Sequence, residues 1–449
     1  MVLTFIRKLY LLILIIALWG SCTSSDNADH RSNRDRPNVI IVMADDMGYG
    51  DLKSFGGDGS IETPVIDSLT AGGLKFTDFH SNGVVCSPTR ASLMTGLYPQ
   101  EAGVEGVVTA ANHRDTGMSP DKYTLAELFG EAGYTSGIFG KWHLGYQPEF
   151  GPIVQGFDYF RGFVSGNVDY RSHIDQEGYP DWWRQKELAP EEGYLTDLIT
   201  DHGLSFLEKY QNERFFLYLA HGAPHYPYQG PDDPADRTAH GEFPVLGSRQ
   251  DIKGAYVEMI ESLDQNIGRV ISFLREKELL DQTLILFLSD NGATGNVGSN
   301  HPFRGTKGQV YEGGHRVPAA LYWHGVVEPG ESDDLILTMD ILPTLAEIIN
   351  IDIESKTDVT GRSFAPLVNG SEGEYEWNER TVFWRFREGK AARKGDWKIV
   401  INEDSEELYN LSKGIDESKN VRENNQEIFS QLKDELESWE RSLDDEIIY

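Results

Sequence analysis

Two pairs of oxygen-bearing side chains follow apolar stretches of the chain. Asp45 and Asp46 begin one residue beyond the run VIIVM, and Asp290 and Asn291 begin one residue beyond the run LILFL. Carboxylate and amide oxygens are hard ligands, which suit Ca²⁺ or Mg²⁺ and disfavour zinc. Aspartate and asparagine are also the usual residues of turns. Two such pairs, each at the end of an apolar run, nevertheless favour a divalent metal site.

A cysteine stands in the motif VCSPTR, shortly before a helical run. Cys86 is one of two cysteines among 449 residues, and the other is Cys22. A helix that begins here would present backbone N–H groups to an anion, and Arg90 would add a fixed cation. A soft thiolate beside hard-metal carboxylates is a poor nucleophile arrangement, and a buried structural role is commoner for a free cysteine. The residues alone leave the role of Cys86 open.

Basic side chains follow two further strand-like segments. FFLYLAHGAPHYPY carries His221 and His225, and the weaker YTSGIFGKWHLG carries Lys141 and His143. Continuous apolar runs suit strands that are buried on both faces, as in a parallel sheet covered by helices. Ligands of such sheets gather at the carboxyl ends of the strands. The sequence therefore predicts that side chains from four strand ends meet at one site.

Helical patterns separate the strand-like segments. TPVIDSLTAGGL has a capping threonine and a first-turn proline, TLAELFGEAG ends at a glycine, and DIKGAYVEMIESLDQNIGRVISFLREKELL is long and amphipathic. This alternation predicts an α/β fold with a doubly wound, mixed but mostly parallel sheet flanked by helices.

The pattern changes after residue 350. RTVFWRFREGKAARKGDWKIVINEDSEELYNL is typical of antiparallel strands with turns at Gly389 and Gly395, and NQEIFSQLKDELESWERSL is typical of a closing amphipathic helix. We therefore predict a larger domain over residues 37–350 and a smaller C-terminal α+β subdomain, an antiparallel sheet plus a helix, over residues 351–449.

The N-terminus has the pattern of an export signal. A charged segment and a short apolar stretch lead to Gly20, Ser21 and Cys22. The stretch is too short for a stable membrane span. We predict a signal peptide over 1–21, a flexible tether over 22–36, and an exported protein of the bacterial periplasm or cell surface. The small residues before Cys22 also resemble a lipobox, which would put a lipid anchor on Cys22. Plain signal peptidase cleavage is the alternative.

The charge of the chain restricts its partners. Acidic residues number 72 against 40 basic ones, which gives a formal net charge of −32. Such a protein is repelled by nucleic acid and by anionic membranes, so we expect no nucleic-acid partner. An anionic substrate would have to be held by a local concentration of arginine, lysine and histidine.

CSPTR resembles the CxPxR signature of the sulfatase family, within an alkaline-phosphatase-like superfamily. Further blocks resemble that family in the expected order: PNVIIVMADDMGYGD, CSPTRASLMTGLYP, GKWHLG, HGAPHYP, LSDNG and RGTKGQVYEGGHRVP, with GDWKIV and EELYNL in the C-terminal subdomain. The resemblance implies that residues 37–350 are the catalytic domain. It also implies that a formylglycine-generating maturation enzyme reads Ser-Pro-Thr-Arg and oxidises Cys86 to Cα-formylglycine.

The resemblance implies a role for each site residue. One Ca²⁺ per chain would be held by Asp45, Asp46, Asp290, Asn291 and the formylglycine oxygen at Cys86. The hydrated aldehyde would attack sulfur, and expulsion of sulfate would restore the aldehyde. The other implied roles are charge stabilisation by Arg90 and Lys141, protonation of the leaving alcohol by His225, sulfate binding by Lys307 and proton removal by His143.

The expected substrate is a sulfated carbohydrate such as an ulvan-, carrageenan- or glycosaminoglycan-type chain. The alternatives are a phosphomonoesterase or phosphodiesterase of the same superfamily, and an inactive glycan-binding lipoprotein. Several polar and aromatic residues would either line a sugar site or simply pack in the interior: Ser165, His173, Trp182, Trp183, Trp384 and Arg385. We expect His221 to pack or cap its loop and His315 to buttress the site.

Overall fold

The computed structural model describes residues 36–370 and 379–443. The predicted signal peptide over 1–21 and the predicted tether, apart from Arg36, lie outside these ranges, as does Cys22. Among the described residues, no helix is both long enough and apolar enough to cross a bilayer.

Strands alternate with helices through most of the chain. The strands are β1 (Asn38–Ala44), β2 (Leu74–Phe76), β3 (Phe79–His80), β4 (Thr135–Lys141), β5 (Tyr159–Phe163), β6 (Trp183–Arg184), β7 (Glu187–Leu188), β8 (Phe215–Ala220), β9 (Thr283–Ser289), β10 (Ala319–Tyr322), β11 (Gly330–Ser332), β12 (Ile336–Leu337), β13 (Thr381–Phe386), β14 (Gly389–Lys394), β15 (Trp397–Asn402) and β16 (Ser405–Asn410). The helices are α1 (Pro64–Gly72), α2 (Cys86–Thr95), α3 (Ala110–His113), α4 (Leu125–Glu131), α5 (Leu195–Tyr210), α6 (Ile252–Glu276), α7 (Glu312–His315), α8 (Ile341–Ile348), α9 (Ala365–Asn369) and α10 (Gln426–Ser442).

A ten-stranded sheet forms the centre of the molecule, in the order β11-β2-β10-β9-β1-β8-β4-β5-β6-β7. The five strands β9, β1, β8, β4 and β5 are parallel to their neighbours within this group. The strands at both ends of the sheet include antiparallel pairs, β9 with β10 and β5 with β6. The predicted mixed, mostly parallel sheet is confirmed.

Helices cover both faces of this sheet, which explains the unbroken apolar runs. Alternate residues of β1 enter opposite cores: Val39 packs on the face that α2, α4 and α8 cover, and Ile40 on the face of α1, α5 and α6. All seven residues of β1 are buried. A strand in this position has no polar face, so after Asn38 its next polar side chain is Asp45, where the chain leaves the sheet.

The C-terminal part contains a separate four-stranded antiparallel sheet, β13-β14-β15-β16, with α10 packed against it. This confirms the predicted small α+β unit. Phe364 and Val368, which precede it, pack in the core of the large sheet. The small sheet begins at Thr381. The division of the chain at residue 351 stays a prediction.

Candidate active site

The two acidic pairs lie side by side because their strands are parallel neighbours. Ala44 of β1 is in register with Ser289 of β9, so Asp45 and Asp290 follow at the same edge of the sheet. The backbone N–H of Asp46 donates to Asp290 Oδ1 over 3.1 Å. Asp46 has a left-handed backbone, with φ of 68°. This conformation is uncommon for a residue with a side chain and turns the chain sharply as β1 ends.

Cys86 is the first residue of α2 and is directed at these carboxylates. Its Sγ lies 3.4 Å from Asp45 Oδ1 and 4.0 Å from Asp46 Oδ1. Only 2% of the cysteine is exposed. Val85 before it is extended, and the helix begins at the cysteine itself. The start of α2 thus fixes residue 86 against the two strand ends.

Three cations balance the three carboxylates. Lys141, the last residue of β4, places Nζ 2.7 Å from Asp45 Oδ2, and neither side chain is more than 1% exposed. Lys307 Nζ lies 2.6 Å from Asp46 Oδ1 and 3.3 Å from Cys86 Sγ. The Lys307 side chain is 17% exposed, so this edge of the cluster is open to solvent.

Arg90 is the third cation. It follows Cys86 by four residues on α2, and residues at this spacing share one face of a helix. Its Nη2 donates to Asp290 Oδ2 over 2.9 Å, and its Nη1 donates to the Lys141 carbonyl over 3.1 Å. The arginine is buried. It connects α2, β4 and β9 at the point where they meet.

Burial dominates the protonation of the cluster. It raises the pKa of Asp45 to about 7, although Lys141 opposes the shift. For Asp46 burial acts in the same direction, but Lys307 and His225 outweigh it and hold the pKa below its usual value. Burial also raises the pKa of the Cys86 thiol to about 12. An unmodified thiol here is therefore neutral at physiological pH, which makes it a poor nucleophile.

His225 faces the cluster from the loop that follows β8. Its Nε2 lies 3.7 Å from Asp46 Oδ2. Its Nδ1 lies 2.7 Å from the Tyr226 carbonyl, so an Nδ1–H there would leave Nε2 for the cluster. Burial, and then the charge of Lys307, lowers the pKa of His225 to about 3. The imidazole is therefore neutral at physiological pH.

His143 follows β4 and also has a left-handed backbone, with φ of 60°. Its Nε2 is 3.0 Å from the Val108 carbonyl, which fixes Nε2–H as the donor. Its Nδ1 is buried and has no hydrogen-bond partner among the described residues. Burial, together with Lys141 and Arg90, lowers the pKa of His143 well below its usual value. Nδ1 is therefore the ring nitrogen left to accept a hydrogen bond or a proton, while burial and the two cations disfavour the charged ring.

The donor set fits a hard divalent ion. Ligand atoms of Asp45, Asp46, Cys86 and His225 lie within 4.8 Å of one another. Asn291 Nδ2 donates to Asp46 Oδ1 over 2.8 Å, and its buried Oδ1 has no partner among the described residues. An unpaired amide oxygen beside three carboxylates is the ligand type that Ca²⁺ and Mg²⁺ prefer.

The structure thus brings together every residue predicted for the site: Asp45, Asp46, Cys86, Arg90, Lys141, His143, His225, Asp290, Asn291 and Lys307. His221 is fully buried, and neither of its ring nitrogens has a partner among the described residues. Thr294, which the sequence reading missed, donates its hydroxyl to Asp46 Oδ2 over 3.3 Å. Its place three residues after Asn291 was the available signal.

The residues considered for a sugar site are mostly interior. His173 stacks on Trp182 with ring centroids 4.9 Å apart, and both are buried. Trp183 Nε1 donates to a carboxylate 2.6 Å away, and the Ser165 hydroxyl donates to a backbone carbonyl over 3.0 Å. Their contacts are those of core and loop packing.

Trp384, His315 and Arg385, which were considered for the site, contact the segments around it. Trp384 is 1% exposed, and its Nε1–H donates to the Ser81 carbonyl over 2.9 Å. His315 stacks on Trp384 and accepts the Ser81 N–H at its own carbonyl over 2.7 Å. Arg385 pairs with Glu105 and a helix carboxylate. The contacts of Trp384 and His315 with Ser81 support the segment that leads to Cys86.

Two family models match the chain: sulfatase over residues 37–351, and N-sulphoglucosamine sulphohydrolase, C-terminal, over residues 305–442. The N-acetylgalactosamine-6-sulfatase of Canis lupus familiaris is 33% identical over 373 residues, which cover 78% of this chain and 68% of that protein. Arylsulfatase A of Homo sapiens is 32% identical over 368 residues, 75% of this chain and 68% of that protein.

Among solved structures, the crystal structure of Ps i-CgsB in complex with k-i-k-neocarrahexaose superposes with a TM-score of 0.81 at 29% identity. The match covers 90% of this chain and 92% of the other. The site that the strand ends build therefore lies within the region that the sulfatase model matches. The chain belongs to the sulfatase family and is a sulfuric ester hydrolase.

Proposed function

We propose that this sulfatase hydrolyses sulfate esters of a sulfated oligo- or polysaccharide, with Cα-formylglycine at position 86 and one bound Ca²⁺. The observation that carries the proposal is the position of Cys86. Its Sγ lies between Asp45 and Lys307, at 3.4 and 3.3 Å, in a buried cluster of balanced charge. A sulfate held there would meet residue 86 and three cations together.

Support for the modification comes from the chemistry of the thiol. Cys86 is buried, and burial raises the pKa of its thiol although Lys141 and Lys307 oppose the shift, so the thiol is neutral. A hydrated aldehyde at this position supplies a hydroxyl nucleophile and a second hydroxyl through which sulfate can leave, which a serine or cysteine ester lacks. The thiol of Cys86 is then a precursor.

The surrounding side chains have separate tasks. Arg90 and Lys141 neutralise negative charge beside residue 86 from positions that the fold fixes before substrate arrives. Lys307 reaches the same point from the solvent side and binds the sulfate. His225 directs Nε2 into the cluster. The negative charge of a bound sulfate would raise its pKa, and the imidazolium would then give the Nε2 proton to the leaving alcohol. His143 accepts a proton at its unpaired Nδ1 when sulfate is expelled.

A bound Ca²⁺ would supply positive charge that orients the sulfate and offsets charge on its oxygens. Asp45, Asp46, Asp290, Asn291 and the oxygen of residue 86 would hold it. The hard oxygen donors and the unpaired Asn291 Oδ1 support this assignment.

A carbohydrate substrate is supported by what similar proteins are named for. Relatives at 33% identity are N-acetylgalactosamine-6-sulfatases, and a structural neighbour at 29% identity was solved in complex with k-i-k-neocarrahexaose. A substrate screen would distinguish among ulvan-, carrageenan- and glycosaminoglycan-type chains.

We also propose how the protein is exported, anchored and matured. The leader over 1–21 would export the chain to the periplasm or the cell surface, and Cys22 would carry a lipid anchor. A formylglycine-generating enzyme would act on the CSPTR motif before folding buries Cys86. Mass spectrometry of the N-terminal peptide from the native host would identify the lipid.

Mass spectrometry of the peptide that contains Cys86 tests the chemistry directly. We expect the aldehyde in the exported, active protein. We expect Cys86→Ser to lower sulfate release by at least about 10³-fold, since it removes the nucleophile. Full activity with an unmodified cysteine would refute the formylglycine proposal. Faster hydrolysis of an aryl phosphate than of the matching aryl sulfate would favour the phosphoesterase alternative.

A defined panel of sulfated oligosaccharides, assayed for released sulfate, tests the substrate class. Cys86→Ser serves as the control for sulfate released by contaminating enzymes. Hydrolysis of aryl sulfates together with no release from any sulfated sugar would contradict the carbohydrate assignment and leave the sulfatase chemistry intact.

A further inference from the structure

An exposed arginine is stacked between two tyrosines near the site. The Arg114 guanidinium carbon lies 5.0 Å from the ring centroid of Tyr179 and 5.7 Å from that of Tyr146. Tyr179 is 47% exposed, and Arg114 is exposed as well. His240 meets the Tyr179 ring edge-on at 5.2 Å. We call Arg114, Tyr146 and Tyr179 the Arg114 stack.

Arg114 lacks an acidic partner in the part of the chain that the structure describes. Among the described residues it forms no ion pair, whereas Arg161, Arg249 and Arg385 each contact at least one carboxylate. In a chain of net charge −32, an exposed guanidinium without an ion pair is a local positive charge on the surface. The two rings hold its plane in place and leave its N–H donors directed to solvent. That geometry suits sulfate or carboxylate.

The stack is connected to the active site through the segments that build it. His143 Nε2–H donates to the Val108 carbonyl. Val108 precedes Arg114 by six residues, and the short helix α3 lies between them. Tyr146 follows His143 by three residues, so their Cα atoms are at most about 11 Å apart. The two segments pair through a bridge between Gly117 and Gly145.

The third segment also starts beside His143. A Cβ on Gly166 would lie 2.9 Å from His143 Nε2, so the chain passes directly over that ring. It then runs through the buried His173 to the exposed Tyr179. The segment over residues 166–179 therefore carries Tyr179 outward near the site, whereas its other tyrosine, Tyr170, is buried.

We propose that the Arg114 stack binds an anionic group, sulfate or carboxylate, on the sugar next to the one that loses its sulfate. The inference rests on the proposed carbohydrate substrate. Tyr146 and Tyr179 hold the guanidinium and offer apolar surface to the sugar ring. A polyanionic chain would then be preferred over a singly sulfated sugar, in spite of the acidic surface of the protein.

Binding to the Cys86→Ser variant, measured by titration calorimetry, tests the inference without turnover. The probes are three disaccharides with the same sulfated sugar, whose neighbouring sugar carries sulfate, carboxylate or no charge. We expect Arg114→Gln to weaken binding of the anionic probes about tenfold and the uncharged probe far less. The two anionic probes show which group the stack prefers.

The matched control is Arg441→Gln, at a 69% exposed arginine on α10. It should leave all three affinities unchanged. Arg114→Lys keeps the charge and loses the planar stacked fork, so it should recover only part of the affinity. Equal losses for all three probes, or no loss, would overturn the inference. Sulfate release by the wild-type enzyme decides the proposed function separately, and if no sulfated sugar is cleaved both proposals fall.

Discussion

Removing Lys141 is predicted to make the stability of the protein depend on calcium. Lys141 Nζ is 2.7 Å from Asp45 Oδ2, and both side chains are buried. Lys141→Met keeps the length of the side chain and leaves a buried carboxylate without its partner, which costs about 3–5 kcal/mol. The lost charge also removes repulsion toward a cation held by Asp45, since unit charges about 4 Å apart interact by about 4 kcal/mol at an effective dielectric of 20.

Melting temperatures in chelator and in calcium measure both effects. In chelator we expect Lys141→Met to unfold several degrees below wild type. Saturating calcium stabilises a protein by about 2.7 kcal/mol at a hundredfold excess over Kd. Because the variant binds the ion more tightly, its gain from calcium should exceed that of wild type. Sulfate release should stay reduced about 10²–10³-fold with calcium present, since the fixed cation beside the sulfate is gone.

Lys398→Met is the matched control. Lys398 is also fully buried, and its Nζ lies 2.9 Å from Glu312 Oε1 and 2.9 Å from Glu417 Oε1, away from the proposed metal ligands. This variant should lose comparable stability in chelator and gain no more from calcium than wild type does. If calcium stabilises the two variants equally, Asp45 is not a calcium ligand and the reasoning is wrong.

Two further predictions concern the supports of the site. Burial would raise the pKa of Asp78, but Arg393 outweighs it and holds that pKa below its usual range; Lys398 does the same for Glu312. The stability that these carboxylates contribute is therefore complete above about pH 4.5 and is lost as the pH falls further. Acid unfolding monitored by circular dichroism should show this loss and a weaker pH dependence in Asp78→Asn, and an unchanged profile would contradict the assignment. Gly166→Ala should push the His143 ring aside and lower turnover by up to about 10²-fold with little change in melting temperature. Gly130→Ala, in the helix α4 where a Cβ meets nothing within 4 Å, should leave turnover unchanged and raise the melting temperature slightly.

The sequence was sufficient to place the residues of the site because burial on both faces restricts where a strand can carry charge. β1 is apolar from Val39 to Ala44 and β9 from Leu284 to Leu288, so Asp45 and Asp290 mark their carboxyl ends. Because the two strands are parallel neighbours, the side chains at their carboxyl ends lie close together. The roles of His143 and Lys307 came from family resemblance, because neither spacing nor composition indicates them.

Exposure of single side chains was not predictable in the same way. Trp182 and Trp384 were candidates for sugar contact, yet both are 1% exposed. Whether an aromatic residue in a loop faces inward depends on segments far away in the chain. The Arg114 stack shows the same limit, because its members come from three segments that meet only in the folded protein.

The C-terminal sheet helps to hold the active site in position. Trp384 of β13 holds the Ser81 carbonyl, and His315 holds the Ser81 N–H, five residues before Cys86. The Gly308 N–H donates to the Val84 carbonyl over 2.8 Å, which joins the Lys307 loop to the same segment. Residue 86 is thus held from one side by the carboxyl ends of the large sheet and from the other by the small sheet. A nucleophile whose position relative to its cations must be fixed to within about an ångström needs both supports.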